Sequence, residues 1–283
     1  MLFFVSLFWF LIGLAIGSFL NVVIDRSIRG ESFRGRSRCE ACGHTLTLTE
    51  LIPLVSYLIQ KERCRACGAV LSLQYPLVEF GTAVSFAVAV FSFPLLSEGG
   101  RSGWGISPFW FLQFSAILIG ISTAIVIFVV DVREKIIPNG AVLILGVLGA
   151  LSVAFRVLSA PYHALNRTPY TVQSAAYLYD IGFALFFACL FAVLWFVSRG
   201  RWMGFGDVKL IFATSLIIGF PASLAAFFFS FWLGGIAGII VVLLGRGSAQ
   251  TQLPFGPFIL IGTASAYFLS PWFMRVSGFS LFL

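Results

Sequence analysis

"FALFFACLFAVLWFVSRGRWMGFGDVKLIFATSLIIGF", residues 183–220, sets a carboxylate between two runs of hydrocarbon. Phe183 to Val197 carry no charge, nor do Leu210 to Phe220; the link between them holds Arg199, Arg201, Gly204, Gly206, Asp207 and Lys209. Two such runs around a short polar link read as consecutive membrane helices, because about 20 residues at ~1.5 Å rise cross a hydrocarbon core of ~30 Å. An acid at the edge of such a helix is costly, and therefore marks a candidate site.

The rest of the chain supports this reading. Of its 283 residues 59% are hydrophobic and only 10% charged, and the mean hydropathy is +1.01. A soluble domain carries about 25% charged residues, so this chain cannot cover itself in water. The expected fold class is an all-α polytopic membrane protein. The 33 phenylalanines suit lipid-facing and helix-packing positions. In a soluble protein a net charge of +7 would suggest nucleic acid; here no nucleic-acid partner is expected, the surrounding partner is lipid, and the basic residues report topology.

Eight apolar segments are legible, at about 2–24, 76–96, 109–130, 140–157, 174–198, 208–220, 222–243 and 257–274. The first has no basic residue before it and is followed by Arg26 and Arg29, which reads as an uncleaved anchor with its N-terminus outside. With that orientation, 14 of the 18 basic residues fall in cytoplasmic loops, leaving only Arg101, Arg156, Arg167 and Arg275 outside or near the outer ends. Cytoplasmic loops collect Lys and Arg, so both termini are expected outside. The chain divides into a first helix (1–24), a cytoplasmic tetracysteine loop (25–75) and a transmembrane catalytic core (76–283). Gly13 and Gly17, and Gly234 and Gly238, have the four-residue spacing that lets helices approach closely.

Four of the five cysteines lie in the long loop, as "CEAC" (Cys39, Cys42) and "CRAC" (Cys64, Cys67), with 21 residues between the pairs (43–63). Each C-x-x-C turn can place two thiolates on one metal, and two turns complete a tetrahedral shell. A structural Zn2+ that folds a loop lacking its own core is the expected occupant. Two disulfides or a redox dithiol are the alternatives; a cytoplasmic location argues against stable disulfides. His44 is surplus to a full shell, and Cys189 reads as a packing residue in the fifth segment.

Asp131 ends the third apolar segment in "FVVDVREKIIPNG", and Asp207 opens the sixth. The third runs inward and the sixth outward, so both acids lie at cytoplasmic helix ends at similar depth, although 76 positions (207 − 131) separate them. Two carboxyl groups brought together in a low-dielectric site titrate as a unit, one ionised and one protonated. Such a pair can activate water and protonate a leaving amine without metal, nucleophilic side chain or cofactor. Gly204 and Gly206 tolerate φ > 0 and admit a substrate backbone; Pro138 forces Ile137 into an extended conformation, so the chain leaves the helix after Asp131. Lys209 and Glu79 complete the candidate site-shaping residues. The alternative for each aspartate is a solvated helix end, with Asp131 paired to Arg133 or Lys135 and Asp207 to Lys209. Asp180 reads as a packing or hydrogen-bonding residue, and Asp25 as a partner of Arg26 or Arg29.

These blocks resemble the type IV prepilin peptidases. "GLAIGSFLNVVIDR", the two C-x-x-C pairs, "YPLVEF", "DVREKIIPN", "GFGDVKL" and "LPFGPFILIG" occur in that family's order and cover nearly the whole chain. The resemblance implies that Asp131 and Asp207 are the catalytic pair of a membrane aspartic endopeptidase in the bacterial inner membrane. It implies cleavage of the basic leader of prepilins or type II secretion pseudopilins, on the cytoplasmic side after a glycine. It also implies N-methylation of the new amino terminus from S-adenosylmethionine, and places "LPFGPF" near the site. Many members have Asp where this chain has Asn139. The competing functions are a proton- or ion-coupled transporter using the same carboxylates, which would normally hold them near the midplane, and a non-catalytic zinc-ribbon scaffold.

Overall fold

The computed structural model describes residues 2–96, 108–164, 170–245 and 253–276. Helix α1 (Leu2–Arg29) leads into the cysteine loop, which carries a 3-10 turn (Leu48–Leu51) and the short α2 (Val55–Ile59). Seven helices follow: α3 (Gln74–Leu96), α4 (Pro108–Glu134), α5 (Asn139–Ala164), α6 (Tyr170–Ser198), α7 (Phe205–Ile218), α8 (Ala222–Leu243) and α9 (Gly256–Val276). Among the described residues the only β pairings are the isolated bridges Arg38–Thr45 and Arg63–Val70. The molecule is an all-helical membrane protein: Phe3–Arg29, Phe111–Glu134, Asn139–Val157, Leu178–Ser198 and Ala222–Leu243 are each long and apolar enough to cross a bilayer.

The long helices fall on the eight apolar segments in order, with two differences. Helices α1 and α4 run past their apolar stretches to Arg29 and Glu134, because polar side chains keep a helix going once it leaves lipid. Left-handed residues stop them: Gly30 at φ +66° and Lys135 at φ +55°. Helix α7 has 14 residues, about 21 Å at 1.5 Å per residue, and does not span a bilayer by itself. Arg101, Arg167 and Arg246 of the topology count lie outside the described residues.

The chain forms two compact units, Met1–Val126 and Ile127–Leu283. In the first, α1 and α3 meet along the Gly13/Gly17 face. A methyl group added at Gly13 would lie 2.6 Å from Ala83 Cα, and one at Gly17 2.6 Å from Glu79 Cα. The predicted close approach is therefore real at this pair, whereas Gly234 and Gly238 meet the side chains of Phe255, Phe258 and Leu253. Phe86, Ala89, Val90, Phe114 and Leu118 form a core beside them, with Trp9 edge-on to Phe114 at 4.9 Å.

In the second unit α5 and α6 flank the short α7, with Val153, Ala184 and Leu216 buried between them. Phe183 stacks on Phe220 at 4.5 Å and Phe187 on Phe227 at 4.7 Å. The C-terminal end of α7 is closed by polar groups. Arg156 Nη2 donates to Leu216 O at 2.7 Å, its Nε lies 3.4 Å from Asp180 Oδ2, and Asp180 Oδ1 accepts the Phe220 N–H at 2.6 Å. Arg156, read from sequence as an outer-edge charge, thus satisfies a carbonyl left open by the end of α7, and Asp180 has the hydrogen-bonding role expected of it.

Candidate active site and metal centre

Asp131 sits in the last turn of α4 and Asp207 in the first turn of α7, both in the second unit and both buried, at 4% and 5% exposure. Both adjoin one side chain, Ile137, which meets Gly206 beside Asp207 and Gly256 beside Asp131. Each is held by a backbone N–H from a glycine. Gly256, the first residue of α9, donates to Asp131 Oδ2 at 3.0 Å, and Gly204, the residue before α7, donates to Asp207 Oδ2 at 3.1 Å. The second bond is the returning half of a capping box, with Asp207 at the third helical position. One oxygen of each carboxylate is thus used for orientation.

Of the two uses expected of the "GFGD" glycines, a positive φ is not found. Gly204 is extended (φ −79°, ψ 153°) and Gly206 has no positive φ; neither uses the freedom of a missing Cβ to enter the left-handed region. What Gly206 provides is room, since a methyl group there would lie 2.9 Å from Ile137 Cβ. Pro138 ends the link 135–138, its carbonyl accepting the Val142 N–H at 3.1 Å to start α5. Lys209 donates to Asn139 Oδ1, and its ammonium lies 5.5 Å above the Phe205 ring. The link after Asp131 is therefore tied to α7, the helix whose first turn carries Asp207.

Two residues of this site are not among the site residues expected from sequence: Gly256, and Ile137, which entered only as the extended residue before Pro138. The "LPFGPF" block placed a loop near the site, but nothing in it marks Gly256 as the donor to Asp131.

In the first unit the cysteine loop folds as two matching turns. The Cys39 N–H donates to His44 O at 2.8 Å and Gly43 N–H to Cys39 O at 3.0 Å; Cys64 N–H to Ala69 O at 2.9 Å and Gly68 N–H to Cys64 O at 2.8 Å repeat the pattern. Gly43 and Gly68 both sit at φ near +70° (+73° and +71°), where a side chain is strained. All four sulfurs lie within 4.8 Å of one another, Cys39 and Cys67 at 3.9 Å. A tetrahedral zinc shell with Zn–S of ~2.3 Å has sulfurs about 3.8 Å apart, so the donor set fits a metal ion; the five cysteines are all free thiols. The N–H groups of Cys67 and Ala66 draw the Cys64 thiol down to about 7. The His44 N–H acts likewise on Cys42, but the neighbouring thiols, Cys67 foremost, raise it to about 11. Four sulfurs this close cannot all carry charge without a cation among them.

Glu79, in α3 of the first unit, accepts the Leu54 N–H at 2.8 Å and a hydrogen bond from Ser18. Leu54 is left-handed (φ +59°), so the carboxylate fixes a strained turn of the cysteine loop. Asp25 accepts from Tyr75 Oη at 3.1 Å, while Arg26 is used on the carbonyls of Ser32, Gly35 and Arg36 and Arg29 on Glu40.

Residues 11–93 match the family model "Bacterial Peptidase A24 N-terminal domain", and residues 118–239 match "Type IV leader peptidase family". A prepilin leader peptidase/N-methyltransferase of Bacillus subtilis is 32% identical over 91% of this chain and 92% of its own length. A type 4 prepilin-like proteins leader peptide-processing enzyme of Escherichia coli is 32% identical over 92% and 93%. A prepilin leader peptidase/N-methyltransferase of Pseudomonas aeruginosa is 28% identical over 89% and 86%. No solved structure matches the chain significantly. The transporter alternative finds no support in these comparisons.

Proposed function

Because the chain belongs to the type IV prepilin leader peptidase family, we propose that Asp131 and Asp207 together hydrolyse the bond between the basic leader and the apolar helix of type IV prepilins or type II secretion pseudopilins. The ionised aspartate takes a proton from water as the water oxygen bonds to the scissile carbonyl carbon, and its protonated partner hydrogen-bonds the carbonyl oxygen. The tetrahedral adduct then collapses, the C–N bond breaks, and the amine leaves with a proton from the carboxyl that received it. The observation that carries this reading is the placement of two buried carboxylates around one side chain, Ile137, each steadied by a glycine N–H.

Gly204, Gly206, Lys209 and Pro138 shape the site, and Glu79 shapes the cysteine loop. The bias of basic residues supports a site at the cytoplasmic face of the bacterial inner membrane, with the basic leader in water and the apolar helix in lipid. Zinc is the proposed metal, held by Cys39, Cys42, Cys64 and Cys67 in a closed shell without a catalytic position. The second activity is methylation of the newly exposed amine, with S-adenosylmethionine supplying the methyl group.

The test is Asp131→Asn and Asp207→Asn, assayed singly with a prepilin in detergent or membranes. Each is expected to lower cleavage by about 10³-fold or more, on the order seen when a catalytic group is removed from a hydrolase, with the protein still folded. Substantial cleavage by either variant would sink the dyad.

A further inference from the structure

One side chain closes the space beside the paired carboxylates. Ile137 lies in the link between α4 and α5 and is half-buried. Its side chain reaches both glycines that adjoin the aspartates. A methyl group on Gly206, next to Asp207, would lie 2.9 Å from Ile137 Cβ and 3.3 Å from Cγ1 and Cδ1; one on Gly256, whose N–H holds Asp131, would lie 3.3 Å from Ile137 Cδ1 and 2.6 Å from Asp131 Oδ2. Carbon atoms in contact normally stand ~3.5–4.0 Å apart, so this space has no slack for a methyl group.

The wall is also fixed. Pro138 holds the Ile137 backbone to extended conformations, the Pro138 carbonyl is engaged by Val142, and Asn139 is bound by Lys209. Ile137 cannot swing away without breaking these ties.

We propose that Ile137 sets the specificity of cleavage by excluding any side chain from the residue that supplies the scissile carbonyl, so that this residue must be glycine. The inference rests on the peptidase reading. The carbonyl carbon must come within reach of both carboxylates, and its α-carbon lies only ~1.5 Å further on. A substituent there meets the surfaces that surround the aspartates: the backbones of Gly206 and Gly256, and Ile137. The glycines have no side chain to yield, which leaves Ile137 as the group whose size decides.

The experiment uses full-length protein in detergent and two prepilin-like peptides, a basic leader followed by an apolar helix, that differ only in Gly or Ala before the cleaved bond. Wild type is expected to cut the Ala peptide about 10²-fold less efficiently, the scale on which a pocket rejects one methyl group too many, with the loss in kcat. Ile137→Ala narrows the gap to tenfold or less while still cutting the Gly peptide, and Ile137→Val falls between. Ile137→Ala, or Ile137→Val if the alanine variant does not fold, cutting the Gly peptide yet rejecting Ala as strongly as wild type overturns the inference and leaves the peptidase reading intact. Wild type that cuts neither peptide overturns the peptidase reading itself.

Discussion

The backbone N–H of Gly256 reaches Asp131 Oδ2 at 3.0 Å across 125 positions of sequence. The start of α9, which carries no acid, therefore aims the carboxylate at the end of α4. A methyl group at Gly256 would fall 2.6 Å from that same oxygen, so Gly256→Ala pushes the carboxylate out of line. We expect kcat to fall about 10²-fold, the usual effect of a displacement near 1 Å in a catalytic group, while KM and the elution volume of the folded protein change little. Wild-type kcat in this variant would show that the contact does not orient the acid.

Gly206→Ala is a test of fit rather than of chemistry. Its new methyl group meets Ile137 at 2.9 Å, and overpacking of this kind typically costs ~1–3 kcal/mol. Activity should drop by tenfold or more and recover in part when Ile137→Val removes a methyl group from the facing wall. Strictly additive losses in the double variant would mean that the two residues do not compete for the same space.

How much of this was legible beforehand differs from residue to residue. The eight apolar segments stood out because lipid imposes one simple rule along the chain, and the Cys39/Cys42 and Cys64/Cys67 turns because metal ligation fixes ligand spacing locally. Asp131 and Asp207 could be paired by counting helix directions. Ile137 and Gly256 could not, because their importance comes from contacts made by neighbours far along the chain, and an Ile before Pro or a Gly before Pro looks ordinary in isolation. The positive φ expected of "GFGD" is not found for a related reason: sequence shows that a glycine is present, but not whether its conformational freedom or its small size is being used.

Removal of metal should undo the first unit's loop and little else. Purified protein is expected to bind one zinc ion per chain, measured by elemental analysis. Cys39→Ser should lose it, and trypsin should then cut at Arg34, Arg36, Arg63 or Arg65, sites the metal-bound turns protect. Equal protease resistance with and without a strong chelator would remove the metal from the account.

Glu50 gives the same loop a dependence on acid. Its carboxylate accepts both the N–H and the hydroxyl of Thr47 at 2.8 Å, and the Thr47 backbone bond foremost holds it below its ordinary value of 4.5. A lowered native value means that the ionised form stabilises the fold. The contribution is complete above pH ~4.5 and disappears as pH falls through the native value. Hydrogen exchange at the Thr47 amide should therefore be slow and flat from pH 7 to 5 after correction for intrinsic rates. It should accelerate in stronger acid, and Glu50→Gln should lack that step.

The shortness of α7 has a consequence for where the chemistry happens. A rod of about 21 Å in a slab of ~30 Å must leave one tip submerged, and the Arg156–Asp180–Phe220 cluster equips the C-terminal tip for that, since the Leu216 carbonyl and the Phe220 N–H are paired within the protein. The tip bearing Asp207 is then free to stay at the water line. Longer acyl chains would draw it under and starve it of its reactant, making turnover a gauge of bilayer thickness.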